Sequence, residues 1–144
     1  FDNGNLYLDI TGGWSALSGT QTATDPYLTY SAGANQLIFA SGKKIDLTNF
    51  TQLHVIGRGR GDYTSGGSVL ARIPSIGAAS AVSASSVTYA AKTNMNAGYI
   101  GNLSTLTEEK MLDITNLFGA YYIAAAITES HTGATLGIKK MWLT

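Results

Sequence analysis

The sequence contains no cysteine and few charged side chains. Without cysteine, disulfide bonds, thiolate nucleophiles and Cys-based metal sites are excluded. Charged residues make up 12% of the chain, about half the usual proportion, and nine basic residues balance nine acidic ones. A net charge of zero removes the electrostatic argument for nucleic acid or an anionic membrane as a partner.

Long hydrophobic runs are also missing. The longest, residues 117–127, is shorter than the ~20 residues that a membrane-spanning helix requires, and we expect no membrane insertion. No signal peptide is visible, and the first residue is Phe1 rather than a methionine. We interpret the chain as a fragment of a larger protein in preference to a processed one. Its length predicts that residues 1–144 form a single domain.

Short β-type runs, separated by Gly, Asn, Ser or Asp every dozen residues or so, are the main feature that is present. They predict an all-β antiparallel sandwich, with a barrel as the alternative. A Thr–Glu capping pattern predicts one short helix, residues 105–112. The predicted strands are residues 6–10, 27–30, 36–40, 51–58, 69–73, 82–90, 98–103, 121–128 and 136–143.

A six-residue pattern occurs twice. Residues 45–50 read Ile-Asp-Leu-Thr-Asn-Phe, residues 112–117 read Leu-Asp-Ile-Thr-Asn-Leu, and residues 8–11 repeat the first half. An Asp and a Thr two residues apart can cap a tight turn, while the flanking apolar residues close the end of the sandwich. We therefore interpret Asp46 and Asp113 as structural residues and not as catalytic ones.

Candidate catalytic groups are sparse. His54 and His131 lie in or beside predicted strands, and no Gly-x-Ser-x-Gly nucleophile pattern is present. A glycosidase needs two carboxylates across a sugar, and the sequence does not place any two of Glu108, Glu109 and Glu129 in one cleft. We predict no catalysis and no catalytic residue.

Metal-ligating residues are equally few. Asp2, Asn3 and Asn5 offer oxygen ligands that Ca²⁺ could use, but the same residues are typical of a turn. We therefore predict no cofactor and no metal site, with a structural calcium at these residues as the alternative.

The most unusual segment is residues 58–67, which holds two of the three arginines, an acid and an aromatic between glycines. It predicts a flexible loop in which Arg58, Arg60, Asp62 and Tyr63 bind a polar ligand. A mobile hairpin tip is the alternative. Residues 60–62 form an Arg-Gly-Asp tripeptide. Such a tripeptide occurs by chance in roughly a few per cent of chains of this length, and we assign it no role.

Two further aromatics complete the predicted ligand site. Trp14 follows two glycines and Tyr27 follows a proline, which places both at predicted strand ends. Aromatic rings in loops can stack on the C–H faces of sugars, while charged side chains bond the hydroxyls. Packing beneath a loop is the alternative for each ring.

The repeated pattern also carries a resemblance. Residues 8–14 (Leu-Asp-Ile-Thr-Gly-Gly-Trp), 45–50, 112–115 before Tyr121, and the terminal 141–143 (Met-Trp-Leu) together resemble a jelly-roll module. Such modules are appended to tail and fibre proteins of phages that infect Gram-positive bacteria, and are similar to carbohydrate-binding modules and galactose-binding-like domains. The resemblance spans nearly the whole chain. It implies a jelly-roll sandwich with adjacent first and last strands, located on a virion or another extracellular surface.

Taken with the site residues, the resemblance predicts a non-catalytic carbohydrate- or receptor-binding module of a phage tail or other surface protein. Its partners would be a cell-surface glycan or polysaccharide and other subunits of a larger assembly. The alternative is a structural virion decoration or assembly domain that contacts other proteins. A hydrolase fragment is a third possibility.

Overall fold

The computed structural model describes residues 6–8, 14–18, 20–23, 28–34, 36–129 and 131–144, with side chains for 6, 8, 36–101, 103–129 and 131–144. The described residues form two β-sheets, antiparallel except for one parallel strand pair, and one short 3₁₀ helix, which confirms the predicted all-β sandwich. The jelly-roll connectivity stays a prediction. The strands are β1 (Leu6–Tyr7), β2 (Trp14–Ser18), β3 (Thr20–Ala23), β4 (Leu28–Ala34), β5 (Leu37–Ser41), β6 (Ile45–Asp46), β7 (Gln52–Ser65), β8 (Ser68–Arg72), β9 (Ser75–Val82), β10 (Val87–Asn94), β11 (Asn96–Ala97), β12 (Lys110–Asp113), β13 (Ala120–Ile127) and β14 (Thr132–Leu143), and the 3₁₀ helix is Ile100–Thr105.

The two sheets differ in how their strands are ordered. In the first sheet the order is β11-β7-β14-β4-β3, with β8 and β12 also on β7 and β1 on β14. In the second sheet it is β10-β9-β13-β5-β2, with β6 on β13. The first described strand thus lies beside the last, with Leu6 opposite Leu143, as the resemblance implies.

Alternate residues of the central strands supply the core between the sheets. Leu53 and Val55 of β7 and Leu136 of β14 are buried in one cluster with Ile123 of β13 and Phe39 of β5. Burial of each large apolar side chain contributes about 1.5–3 kcal/mol, so the core holds the two sheets face to face.

Strand β7 overturns the loop predicted for residues 58–67. The strand continues to Ser65, and only Gly66 and Gly67 form the turn into β8, at φ values of 59° and 81°. Positive φ at both central residues is the geometry of a type I′ hairpin turn. The predicted flexible loop is therefore one arm of a regular hairpin, here called the β7–β8 hairpin.

Close packing explains why β7 is rich in glycine. A Cβ atom on Gly57 would lie 2.7 Å from Met95 Cε, and one on Gly59 would lie 2.5 Å from Pro74 Cγ. On Gly61 it would lie 3.1 Å from both Cβ and Cγ of His131. Because these glycines have no side chain, other side chains and backbone atoms can approach the inner face of the strand. Close approach, and not only a turn, can therefore require glycine.

Three other predicted elements are wrong. The predicted strand 82–90 is two strands, β9 and β10, joined by a turn in which Ser83 N donates to Ser86 O at 2.9 Å. The predicted strand 98–103 is mostly the 3₁₀ helix, and the predicted helix 105–112 ends in the extended strand β12. There Leu112 is paired with Leu53 of β7, so the β ladder outweighs the local helix-capping pattern.

The repeated Asp–Thr pattern forms the same turn twice, as predicted. Asp46 Oδ1 accepts from Thr48 N at 2.9 Å and from Thr48 Oγ1 at 2.6 Å. Asp113 and Thr115 repeat both bonds at the same distances. Leu47 and Ile114, the residues between Asp and Thr in the two copies, are buried in the core and anchor the turns there. The third copy, residues 8–11, lies mostly outside the described residues.

Candidate functional site

The predicted ligand residues do not form one group. Arg58, Arg60 and Asp62 project from the outer face of β7, because the glycines between them face the core. Tyr63 projects to the opposite side of the strand. Trp14 begins β2, where it is opposite Ser41, but its side chain lies outside the described set, and Tyr27 lies outside the described residues altogether.

On the outer face, Arg60 and Asp62 bond each other and a third residue. Arg60 Nε donates to Asp62 Oδ1 at 2.7 Å, and Tyr99 donates its hydroxyl proton to Asp62 Oδ2 at 2.6 Å. The Arg60 guanidinium lies 5.2 Å from the centre of the Tyr99 ring. The hydrogen bonds from Tyr99 and Arg60 hold the pKa of Asp62 below its usual value. These bonds occupy both Asp62 oxygens, which lowers the capacity of this surface to bind a new ligand.

Arg58 is the third member of this outer surface. Its Nε atom is buried and has no hydrogen-bond partner among the described residues, and a Cβ atom on Gly98 would lie 3.5 Å from it. Because the Nε atom is buried, it is not available to a ligand in this arrangement. The sequence analysis did not identify Tyr99 as a site residue and placed it in a strand. No local pattern indicates that its ring contacts Asp62, which is 37 residues away in the chain.

Tyr63 instead lines a cleft. The cleft has a volume of about 340 Å³ and lies between the β7–β8 hairpin on one side and the ends of β9, β10 and β13 on the other. Its lining mixes aromatic, charged and small polar side chains: Tyr63, Ala71, Arg72, Ile73, Ser75, Val87, Tyr89, Lys92, Asn94, Ala126, Ile127, Thr128 and Glu129.

One wall of the cleft is built by three interacting side chains. The Arg72 guanidinium lies over the Tyr63 ring, 3.8 Å from its centre. Arg72 Nη1 also donates to Glu129 Oε2 in an ion pair. Cation–π contact and ion pair together orient Arg72, and they connect the β7–β8 hairpin to the segment after β13.

The other wall rests on a buried tyrosine. Tyr89 donates its hydroxyl proton to the carbonyl of Ser75 at 3.1 Å, and burial raises its pKa. Lys92 Nζ lies 5.6 Å from the centre of the Tyr89 ring. Asn94, two residues further along β10, adds an amide group to the same wall. The Tyr89 ring is therefore a fixed support beneath the Lys92 ammonium.

His131 lies behind the cleft. It is only 4% exposed, and neither ring nitrogen has a hydrogen-bond partner in the part of the chain that the structure describes. Burial, and after it the positive charge of Arg72, lower its pKa. The ring packs against Gly61 next to Ile127, so a neutral His131 supports the base of the hairpin.

A second histidine lies at the far end of β7. His54 Nδ1 is 2.9 Å from Glu109 Oε2, and His54 Nε2 is 2.9 Å from Thr144 Oγ1. Hydrolases activate a nucleophile through the same carboxylate–imidazole–hydroxyl order. Here Thr144 is tied to Gln52 by two backbone bonds, and the imidazole is stacked on Trp142 at 4.9 Å. We interpret these residues, the His54 cluster, as a structural link between β7, β14 and the residues before β12.

No group of three or more His, Asp or Glu side chains suited to a metal ion occurs among the described residues. The calcium ligands considered above, Asp2, Asn3 and Asn5, lie outside those residues. Within the described ranges no helix is both long and apolar enough to cross a membrane.

No protein-family model and no curated protein sequence matches this chain.

Proposed function

We propose that this domain is a non-catalytic module that binds carbohydrate in the cleft between the β7–β8 hairpin and the second sheet. The observation that carries the proposal is the mixed lining of that cleft, in which Tyr63 and Tyr89 lie beside Arg72, Lys92 and Asn94. Tyrosine rings cover the C–H surfaces of sugars, and amide or charged side chains bond their hydroxyls.

The size of the cleft supports a small ligand. At about 340 Å³ it lies at the lower end of the range for small-molecule sites, roughly 300–1,000 Å³. Its walls are preformed, because Tyr89 is anchored by its hydroxyl group and Arg72 is oriented by Tyr63 and Glu129. Preformed walls reduce the entropy lost on binding.

The proposed setting follows from the resemblance. The domain would belong to a phage tail or another extracellular surface protein, with a cell-surface glycan as receptor and other subunits of the assembly as neighbours. Binding by one shallow cleft would be weak. Several copies on one particle would raise the overall affinity by avidity.

A glycan array with matched variants tests the proposal. Asn94→Ala, alone and with Tyr63→Ala, removes cleft groups, whereas Arg60→Ala removes a charge from the outer face of β7. We expect the array to identify a saccharide whose binding drops by about tenfold or more in the cleft variants and is retained in Arg60→Ala. Circular dichroism and melting temperature serve as folding controls. The opposite pattern would move the site to the outer face, and no saccharide signal would refute the proposal.

One observation favours the alternative, an assembly domain. Val69, Leu70 and Ile73 on and after strand β8 are 63%, 41% and 39% exposed. Among the described strands β8 pairs only with β7, so its other edge has no strand partner in the described ranges and is a site where another chain could pair. A contact with another subunit would cover this edge. If assembly is the function, Leu70→Ser should abolish association measured by sedimentation, and the wild-type domain should bind no saccharide.

A further inference from the structure

We propose that the cleft selects an anionic glycan, one whose sugar carries a carboxylate or a phosphate group, and that Lys92 binds the charge. This inference rests on the proposed carbohydrate-binding function. It goes further by assigning the chemical class of the sugar and the residue that recognises it.

The charges within the cleft carry the argument. The charged side chains that line it, among the residues that the structure describes, are Arg72, Lys92 and Glu129. Arg72 and Glu129 form an ion pair, so their charges offset each other. No carboxylate of the described residues lies within ion-pair distance of Lys92. Within the described part of the chain, Lys92 is therefore the one charged side chain of the cleft without an opposite charge in ion-pair distance, and the net charge of the whole chain is zero.

Lys92 is positioned for a ligand. Its ammonium lies over the Tyr89 ring, and that ring is itself fixed by the hydroxyl bond to Ser75. A cation–π contact restricts the side chain without using the hydrogen-bonding capacity of the ammonium group. Asn94 projects into the same cleft from two residues along the strand, so an ammonium and an amide can bind one anion together.

The geometry also places the anion within the cleft. Glu129 repels a negative group beside it, although Arg72 reduces that repulsion, so the anion belongs on the wall formed by Lys92 and Asn94. Lysine is a compact point charge without the planar fork of arginine. It therefore binds carboxylate and phosphate alike, and Lys92 does not distinguish them.

Neutral sugars are not rejected by this arrangement. Lys92 is exposed, so its ammonium stays hydrated when no anion is bound, and a neutral ligand loses only the charge-assisted bond. We expect the anionic form of a sugar to bind roughly ten- to a hundredfold more tightly than its neutral counterpart, with the difference decreasing as salt is added.

The test uses matched pairs of oligosaccharides. Uronic-acid oligosaccharides are printed beside their carboxyl-reduced counterparts, and phosphorylated sugars beside dephosphorylated ones. The proteins are the wild-type domain, Lys92→Gln, and Lys43→Gln as a control that removes one exposed charge outside the cleft. We expect preference for the anionic member in the wild type and in Lys43→Gln, and loss of that preference in Lys92→Gln. The pair with the larger difference identifies the anion as carboxylate or phosphate.

Other outcomes distinguish a failure of the anion preference from a failure of carbohydrate binding itself. Equal binding to both members of every pair would overturn the inference and leave carbohydrate binding intact. So would a preference for the anionic member that persists in Lys92→Gln. Failure of the folded wild type to bind any saccharide would overturn both.

Discussion

Thr48 Oγ1 accepts a hydrogen bond from the backbone N–H of Gly119 at 2.8 Å. Leu47 N in turn donates to Gly119 O at 2.9 Å. The first Asp–Thr turn is thereby bound to the residues that follow the second, although 71 positions separate Thr48 from Gly119. The repeated sequence pattern thus forms one closed end of the sandwich from two distant segments.

Replacing the turn acids should reduce stability without changing ligand binding. Asp46→Ala and Asp113→Ala each lose two hydrogen bonds to the threonine two residues later, and each should lower the melting temperature by about 3 °C. Asp46→Asn and Asp113→Asn retain an acceptor oxygen and are the matched controls. Full stability combined with loss of glycan binding in either alanine variant would reverse the structural assignment.

The same carboxylates predict a pH dependence. The hydrogen bonds from the side chain and then the backbone of Thr48 lower the pKa of Asp46, and Thr115 does the same for Asp113. A lowered carboxylate pKa stabilises the folded state above the usual Asp value of 3.8, and this stabilisation is lost as pH falls below it. Urea unfolding measured as a function of pH should therefore show that the free energy of unfolding decreases less at acid pH in both alanine variants than in the wild type.

Adding one methyl group to the inner face of β7 should be costly. In Gly59→Ala the new Cβ would lie 2.5 Å from Pro74 Cγ and 2.8 Å from the carbonyl oxygen of Thr135, so the sheet must shift. We expect the free energy of unfolding to fall by about 1–3 kcal/mol. Gly101→Ala is the control, because its Cβ meets no atom within 4 Å and the change should be neutral within about 0.5 kcal/mol. A tolerant Gly59 would mean that β7 is not closely packed there.

The His54 cluster should contribute to stability and not to binding. His54→Ala removes the stacking on Trp142 and leaves Glu109 and Thr144 without their imidazole partner. We expect a loss of about 1–3 kcal/mol in the free energy of unfolding, measured in urea. Glycan binding by the folded variant should be unchanged, since the cluster lies outside the cleft. A hydrolytic activity that disappears in this variant would contradict the structural interpretation.

Stability near neutral pH should depend on His131. Because its folded-state pKa lies below the usual 6.5, the folded protein binds fewer protons there than the unfolded chain does. Stability therefore decreases as pH falls through that value. His131→Phe keeps a ring of similar size without a titratable group, and its stability should change less between about pH 7.5 and pH 5 than that of the wild type. Parallel curves for the two proteins would exclude a contribution from His131.

Several elements could be predicted because their signals are local. In strands β13 and β14 apolar residues either alternate with polar ones or form a continuous run. Both Asp–Thr turns are closed by hydrogen bonds between residues two positions apart. In these cases the conformation is determined by residues that are close in sequence, and contacts with distant parts of the chain do not alter it. The all-β class and the turn residues therefore follow from sequence.

The arginine- and glycine-rich segment could not be interpreted in this way. Glycine permits a turn, and it also permits close approach of other atoms to a strand; the two uses are identical in sequence. Met95, Pro74 and His131 decide between them, and all three come after the β7–β8 hairpin in the chain. The predicted helix fails for the same reason, since Leu112 is held in a ladder with Leu53.

The sequence by itself determined the β class, the neutral charge balance and the two capped turns, because composition and short-range hydrogen bonds suffice for them. Only the tertiary structure decided which charged groups share a site. Alternation along β7 sends Arg60 and Asp62 to one face and Tyr63 to the other. Folding then brings Tyr63 to Arg72 and Glu129 and places Lys92 in the same cleft. Contacts between residues of distant strands depend on which strands pair and on how the two sheets pack, and these are decided only when the whole chain folds.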